Sequence, residues 1–88
     1  MSDRGYRVEF KPSAAKAVRK LPVAVQRRIL DRVEALAGDP RPQGCDKLEG
    51  LRDLYRVRVG QYRVVYQVSD KLLLVLVVRV AHRREVYR

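Results

Sequence analysis

Two alternating stretches joined by a glycine turn constrain the fold of this 88-residue chain more than any other feature. LYRVRV (residues 54–59) and YRVVYQV (residues 62–68) place apolar side chains at alternate positions, as β-strands with one buried face do. Gly60-Gln61 is a two-residue connection with glycine at the position where a tight turn requires positive φ. The pattern therefore predicts a β-hairpin.

The turn fixes which side chains of this hairpin lie opposite one another. Tyrosine and valine occupy the pairs 55/66, 57/64 and 59/62, which form one apolar face. On the other face Arg58 lies opposite Arg63, and Arg56 lies one step further along, opposite Val65. Like charges directly opposite each other destabilise a sheet by roughly 0.2–1 kcal/mol. A sequence selected only for folding would avoid this arrangement.

Two helices are predicted before the hairpin. Pro12-Ser13 begins the first, with Ser13 as its N-cap. In the second, apolar residues recur at helical spacing from residue 25 to residue 36, and Gly38 followed by Asp39-Pro40 marks its end.

Residues 6–10 and 72–80 complete the predicted strands, and residues 41–50 are predicted as a loop. We expect a single α+β domain over residues 1–88. Its two N-terminal helices pack on one face of a four-stranded, mainly antiparallel sheet, in the order β-α-α-β-β-β.

Net charge is the most informative feature of the amino-acid composition. Twenty Lys and Arg against ten Asp and Glu give a net charge of +10. Between residues 54 and 84 there are seven basic residues and one acid, Asp70. So strong a local positive field favours a polyanion partner, although basic surface can also serve solubility alone.

The apolar runs, the N-terminal sequence and the cysteine count narrow the class of protein. No apolar run reaches the roughly 20 residues that span a bilayer, and the N-terminus lacks the apolar region of a secretory signal. The single cysteine, Cys45, cannot form an internal disulfide or a zinc site. We therefore expect a cytoplasmic protein without metal or cofactor.

The C-terminal sequence AHRREVYR contains the one histidine, His82. RNA cleavage by 2′-hydroxyl attack needs a base and an acid, and histidine exchanges protons readily near neutral pH. Tyr87 could donate a proton or stack on a base. A solvated His82 and a core-packed Tyr87 are the alternatives. We expect this segment to border the arginine-bearing face, which Arg79 joins if the turn before its strand keeps it out of the core. That face would then collect arginine, histidine and tyrosine without neutralising acids, and Asp46 and Glu49 are predicted to be solvated loop charges.

The residues 54–68 followed by VRVAHRREVYR (residues 78–88) resemble the RelE/ParE superfamily of bacterial toxins, specifically the RelE branch. The order of elements before them matches as well. The resemblance implies a ribosome-dependent endoribonuclease that cuts mRNA without metal. It also implies a cognate antitoxin whose C-terminal segment wraps the toxin.

The resemblance also implies residue roles. Arg63 matches the phosphate-binding arginine, and Arg56 and Arg58 match positions that are typically lysine in the best-studied branch. Because arginine stays protonated and is a poor base, we hypothesise that His82 partly fills that role. The family's site also has an arginine after the last strand. Arg83 matches that position best, and Arg84 is the alternative. The expected site has catalytic Arg63, Arg83, Tyr87 and His82, and RNA-binding Arg56, Arg58, Arg79 and Arg84.

Expected partners are an antitoxin with an acidic or amphipathic segment, the ribosome and mRNA, and operator DNA reached through the antitoxin. Membranes are not expected. Two other functions remain open. One is a ParE-like inhibitor of DNA gyrase without nuclease activity, and the other is an RNA-binding module that does not cleave.

Overall fold

A computed structural model describes residues 5–48, 50 and 53–86, and its description of residues 85 and 86 is confined to the backbone. In the described part of the chain, five strands form one sheet in the order β1-β5-β4-β3-β2. The elements are β1 (Arg7–Phe10), α1 (Pro12–Arg19), α2 (Val23–Ala35), β2 (Asp46–Lys47), β3 (Leu54–Val59), β4 (Tyr62–Ser69), β5 (Leu74–His82) and α3 (Arg83–Val86). None of the described helices has the length and apolar character needed to cross a membrane.

The α+β class is confirmed, but the sheet has five strands where we expected four. The additional strand, β2, lies in the stretch predicted as a loop and pairs with β3 through Asp46 and Lys47. A two-residue strand is too short to leave a periodic signal in a sequence. The sheet is mixed because β1 runs parallel to β5, while the other pairings are antiparallel.

Both N-terminal helices pack on one face of the sheet, as predicted. α1 buries Ala14 and Val18, and α2 buries Ile29 and Val33; the members of each pair are four residues apart, so they lie on one helix face. They meet sheet residues such as Tyr66 in a single buried cluster. Each large apolar side chain buried here stabilises the fold by about 1.5–3 kcal/mol.

The prediction of Ser13 as N-cap of α1 is wrong. The helix begins two residues earlier than that cap implies, because Pro12 occupies its first turn with a φ that is already helical. Lys11 is the N-cap residue and makes no side-chain capping hydrogen bond. Ser13 therefore lies inside the first helical turn.

The β3–β4 hairpin forms in the predicted register. Gly60 adopts a φ of 60°, the left-handed conformation that glycine reaches without steric cost. Val59 pairs with Tyr62, and Arg58 pairs with Arg63, as expected for this turn.

The last strand begins and ends two residues later than predicted. Leu72 and Leu73 are exposed in the preceding turn, where the Leu72 N–H donates to Ser69 Oγ at 3.1 Å. Leu73 has a φ of 53°, which a regular strand cannot contain. β5 therefore runs from Leu74 to His82, and the histidine is its final residue.

The end of the sheet next to the β4–β5 turn is held by a polar network that we call the paired end: Tyr6, Arg41, Tyr55 and Asp70. The Arg41 guanidinium donates to both oxygens of Asp70, at 3.2 and 3.0 Å, and through Nε to the Tyr55 hydroxyl at 2.9 Å. The Tyr6 hydroxyl also donates to Asp70, at 2.6 Å. Arg41 above all, and then Tyr6, hold the pKa of the Asp70 carboxyl below its ordinary value.

Candidate nucleic-acid interface

The sheet face opposite the helices carries four arginines, which we call the arginine face: Arg56, Arg58, Arg63 and Arg79. Arg58 and Arg63 are direct cross-strand partners. Val65 of β4 pairs with Arg56 of β3 on one side and with Arg79 of β5 on the other. These two arginines therefore flank Val65 across the sheet. The expectation that the four share one face is confirmed.

A β-bulge in β5 places Arg79 on this face. Val65 pairs with Arg79 and Tyr66 with Val77, which leaves Val78 as an extra residue in β5. Without the bulge, the alternation that buries Val77 would also turn residue 79 toward the core. We expected the preceding turn to decide the orientation of Arg79, but the bulge decides it.

The four arginines differ in accessibility. Arg58 and Arg79 are exposed, whereas Arg56 and Arg63 are half-buried, and one terminal nitrogen of the Arg63 guanidinium is buried. A half-buried guanidinium lies in a lower effective dielectric, where its attraction for a phosphate is stronger than in water. Its planar fork matches two phosphate oxygens at once.

Asp46 contributes an acid to this face, which the sequence did not lead us to expect. Its Oδ2 lies 3.2 Å from a terminal nitrogen of Arg56 because β2 pairs the two residues directly. The expectation of a face without neutralising acids is therefore wrong at Arg56. The sequence predicts a solvated loop charge at Asp46, since nothing in its pattern indicates β2.

His82 lies on the other side of the sheet, so the expectation that it shares a face with the arginines is wrong. It pairs with Tyr62 on the side of the helices, and the two rings are nearly perpendicular, with centroids 5.3 Å apart. The bulge precedes Arg79, and from Arg79 to His82 the strand alternates regularly. An odd separation of three residues puts their side chains on opposite faces. Counting by twos from Arg79 would have shown this from the sequence.

The start of α3 lies beside the hairpin turn. The Arg83 N–H donates to the Gln61 carbonyl at 2.7 Å, which holds Arg83 at the same end of the sheet as the Arg58–Arg63 pair. Arg84 donates its N–H to His82 Nδ1 at 3.3 Å, and the side chains of both arginines are exposed. Tyr87, the fourth predicted catalytic residue, lies outside the described residues.

The chemistry available on the arginine face is binding of anions rather than proton transfer. Arginines hold phosphates and stabilise developing negative charge, but they do not accept protons at physiological pH. Across residues 5–48, 50 and 53–86, no three His, Cys, Asp or Glu side chains are grouped closely enough to hold a metal ion.

Known proteins with the same sequence pattern and fold identify the family. The family model for the ParE toxin of the type II toxin–antitoxin system parDE matches residues 8–87. The mRNA interferase toxin RelE of Escherichia coli K12 is 34% identical over 86 residues, covering 93% of this chain and 90% of its own.

Two solved structures share the fold. The RelE–RelB complex of Pyrococcus horikoshii OT3 contains a chain with TM-score 0.81 and 37% identity, covering 90% of this chain and 96% of that one. The intact E. coli RelBE toxin–antitoxin complex gives 0.79 and 32%, covering 88% and 95%. The chain thus belongs to the RelE/ParE superfamily of type II toxin–antitoxin toxins, in its RelE branch.

Proposed function

We propose that this chain is the toxin of a toxin–antitoxin system and that it cuts mRNA on the ribosome. The observation that carries the proposal is the pairing of Arg58 with Arg63 on an open face that also holds Arg56 and Arg79. Such a pair opposes folding, whereas a bound phosphate chain would neutralise it. The relative from E. coli K12 that is 34% identical is named an mRNA interferase.

The reaction that suits an arginine site is attack of a 2′-hydroxyl on the adjacent phosphate. The oxygen–phosphorus bond to the 5′ oxygen breaks, leaving a 2′,3′-cyclic phosphate and a 5′-hydroxyl. Arg63 stabilises the additional negative charge of the transition state, and Arg83 assists from the same end of the sheet. Arg56, Arg58, Arg79 and Arg84 hold neighbouring phosphates.

Proton transfer requires other groups. Tyr87 is proposed as the donor to the departing 5′ oxygen. The role of His82 as base stays a prediction. Because His82 lies on the helical side of the sheet, that role requires a particular path of the RNA. RNA must pass round the end of β5 for the imidazole to reach the 2′-hydroxyl.

We further propose that a cognate antitoxin neutralises this chain in the cytoplasm. The similar chains from P. horikoshii and E. coli occur in complexes with RelB. An acidic or amphipathic segment suits the arginine face by charge, and operator DNA would be reached through the antitoxin. Formation of the complex should slow as salt is raised, because the charges steer association.

The match to a ParE family model favours a second candidate, inhibition of DNA gyrase.

The test is incubation of the full chain with translating ribosomes, followed by mapping of mRNA 5′ ends and analysis of the termini. The proposal predicts discrete cuts with cyclic phosphate ends, and no cuts in the same mRNA without ribosomes. Intact mRNA in this assay, together with DNA breaks in a parallel assay with DNA gyrase, would favour gyrase inhibition. Tight RNA binding without cuts would indicate a non-catalytic module.

A further inference from the structure

We propose that a groove on the helical side of the sheet binds a nucleotide of single-stranded RNA. The groove lies between α1 and the end of β5 and has a volume of about 360 Å³. This inference extends the proposed function, on which it rests, because it names where the RNA goes after it leaves the arginine face. The lining includes Ser13, Lys16, Lys20, Leu21, Tyr62 and His82.

One wall of the groove is a stripe along α1. Ser13, Lys16 and Lys20 follow helical spacing, so their side chains project from the same side of the helix. From the first to the last of them the helix rises by about 10 Å. All three are exposed.

The charge of this wall favours an anion. Both lysines lie on the groove, and none of the described residues that line it is acidic. Lysine ammonium groups and a serine hydroxyl in the first turn of a helix are donors that bind phosphate oxygens.

The other wall presents aromatic rings. Tyr62 and His82 are half-buried, and their rings meet at an interplanar angle of 80°. In a perpendicular pair one ring presents its edge, so the partner covers neither face of that ring. Stacking of a base on an aromatic face contributes about 1–3 kcal/mol in single-stranded nucleic acid complexes.

Rings on one wall and cations on the other match the base and the phosphate of one nucleotide. An acidic peptide would use the lysines but would leave the rings without a specific role, so we commit to RNA. β5 also connects the two sites directly. From Arg79 on the arginine face to His82 in the groove the strand advances about 10 Å.

The first experiment titrates the full isotopically labelled chain with adenosine 5′-monophosphate and follows its NMR spectrum. Stacking predicts upfield shifts of the Tyr62 and His82 ring protons together with a shift of the Ser13 amide. Inorganic phosphate should move the amide and leave the ring protons in place. The proposal is overturned if the nucleotide moves none of these signals, or if phosphate alone binds as tightly as the nucleotide.

The second experiment measures binding of hexa-adenylate by fluorescence anisotropy at several salt concentrations. The Lys16→Gln/Lys20→Gln pair should bind at least tenfold more weakly. Its log–log salt slope should be less steep by about 1.4, from about 0.7 per lost phosphate contact. Arg19→Gln/Arg27→Gln is the matched control, because both arginines are exposed on the helices and neither lines the groove.

Equal losses in the two pairs would show general electrostatic attraction and overturn the proposal. It would also be overturned if the lysine pair lost antitoxin binding while its salt slope for RNA stayed at the wild-type value. Neither measurement uses cleavage, so the groove and the proposed nuclease activity can fail separately.

Discussion

The arginines at the two ends of the sheet have neighbours of opposite charge. At the paired end, Arg41 meets the Asp70 carboxylate through two hydrogen bonds and reaches Tyr55 with a third. At the opposite end, next to the β3–β4 turn, which we call the turn end, Arg58 lies directly opposite Arg63. The first arrangement favours folding, and the second opposes it. The juxtaposition of Arg58 and Arg63 therefore needs an explanation outside the stability of the fold, and a polyanionic ligand supplies one.

The largest effect is expected from Arg63→Gln at the turn end. Glutamine keeps much of the length of the side chain but removes the charge and the planar fork. Removal of one donor to a transition state typically costs about 100- to 1,000-fold in rate. We expect a loss of that size in cleavage of ribosome-bound mRNA, measured in single turnover.

Arg27→Gln is the matched control for Arg63→Gln, because it makes the same change on an exposed position of α2. It should cleave at the wild-type rate. Similar rates for the Arg63 and Arg27 variants would remove Arg63 from the site.

Arg41→Gln tests the paired end. Loss of the hydrogen bonds to Asp70 and Tyr55 should lower the midpoint of thermal unfolding by a few degrees. Cleavage measured well below that midpoint should be retained. A strong loss of cleavage with unchanged thermal stability would erase the distinction between the two ends.

The paired end should also give the fold an acid dependence. The pKa of Asp70 is held below 3.8, principally by Arg41, so the ionised carboxylate stabilises the folded state at pH values above that. The contribution is lost as pH falls through the depressed pKa. Thermal unfolding followed by circular dichroism should show a steeper acid decline for wild type than for Asp70→Asn. Parallel declines would contradict the assignment.

The smallest effect is expected from Asp46→Asn. The substitution removes the acid that lies 3.2 Å from Arg56 and so leaves that guanidinium available to phosphate. RNA affinity should rise by a few-fold, and the salt slope should steepen by up to about 0.7. The Arg56→Gln/Asp46→Asn double variant is the control, because without Arg56 the gain should disappear. Weaker binding by Asp46→Asn would show that the acid positions Arg56 for RNA.

Much of the fold could be predicted because strong local signals agreed with the tertiary structure. The glycine turn fixed the register of the hairpin, and helical spacing identified the residues that α2 buries. β2 could not be predicted, since its two residues gain their strand conformation from pairing with β3. The bulge at Val78 is likewise a tertiary feature, because nothing in an unbroken run of apolar residues marks it.

The site was predictable in part for the same reasons. The arginine face followed from the register, whereas the position of His82 was mistaken although the alternation of β5 after Arg79 determines it. The groove along α1 was missed because its walls come from elements far apart in the sequence. Lysines on a helix surface give no local sign that Tyr62 lies across from them.

The most direct test of the central claim measures two properties of one variant, Arg58→Gln. Arg58 is exposed, and its replacement removes the like-charge contact with Arg63. We expect the free energy of unfolding to rise by about 0.2–1 kcal/mol while cleavage of ribosome-bound mRNA falls at least tenfold. A variant that is no more stable than wild type and cuts at the wild-type rate would contradict it.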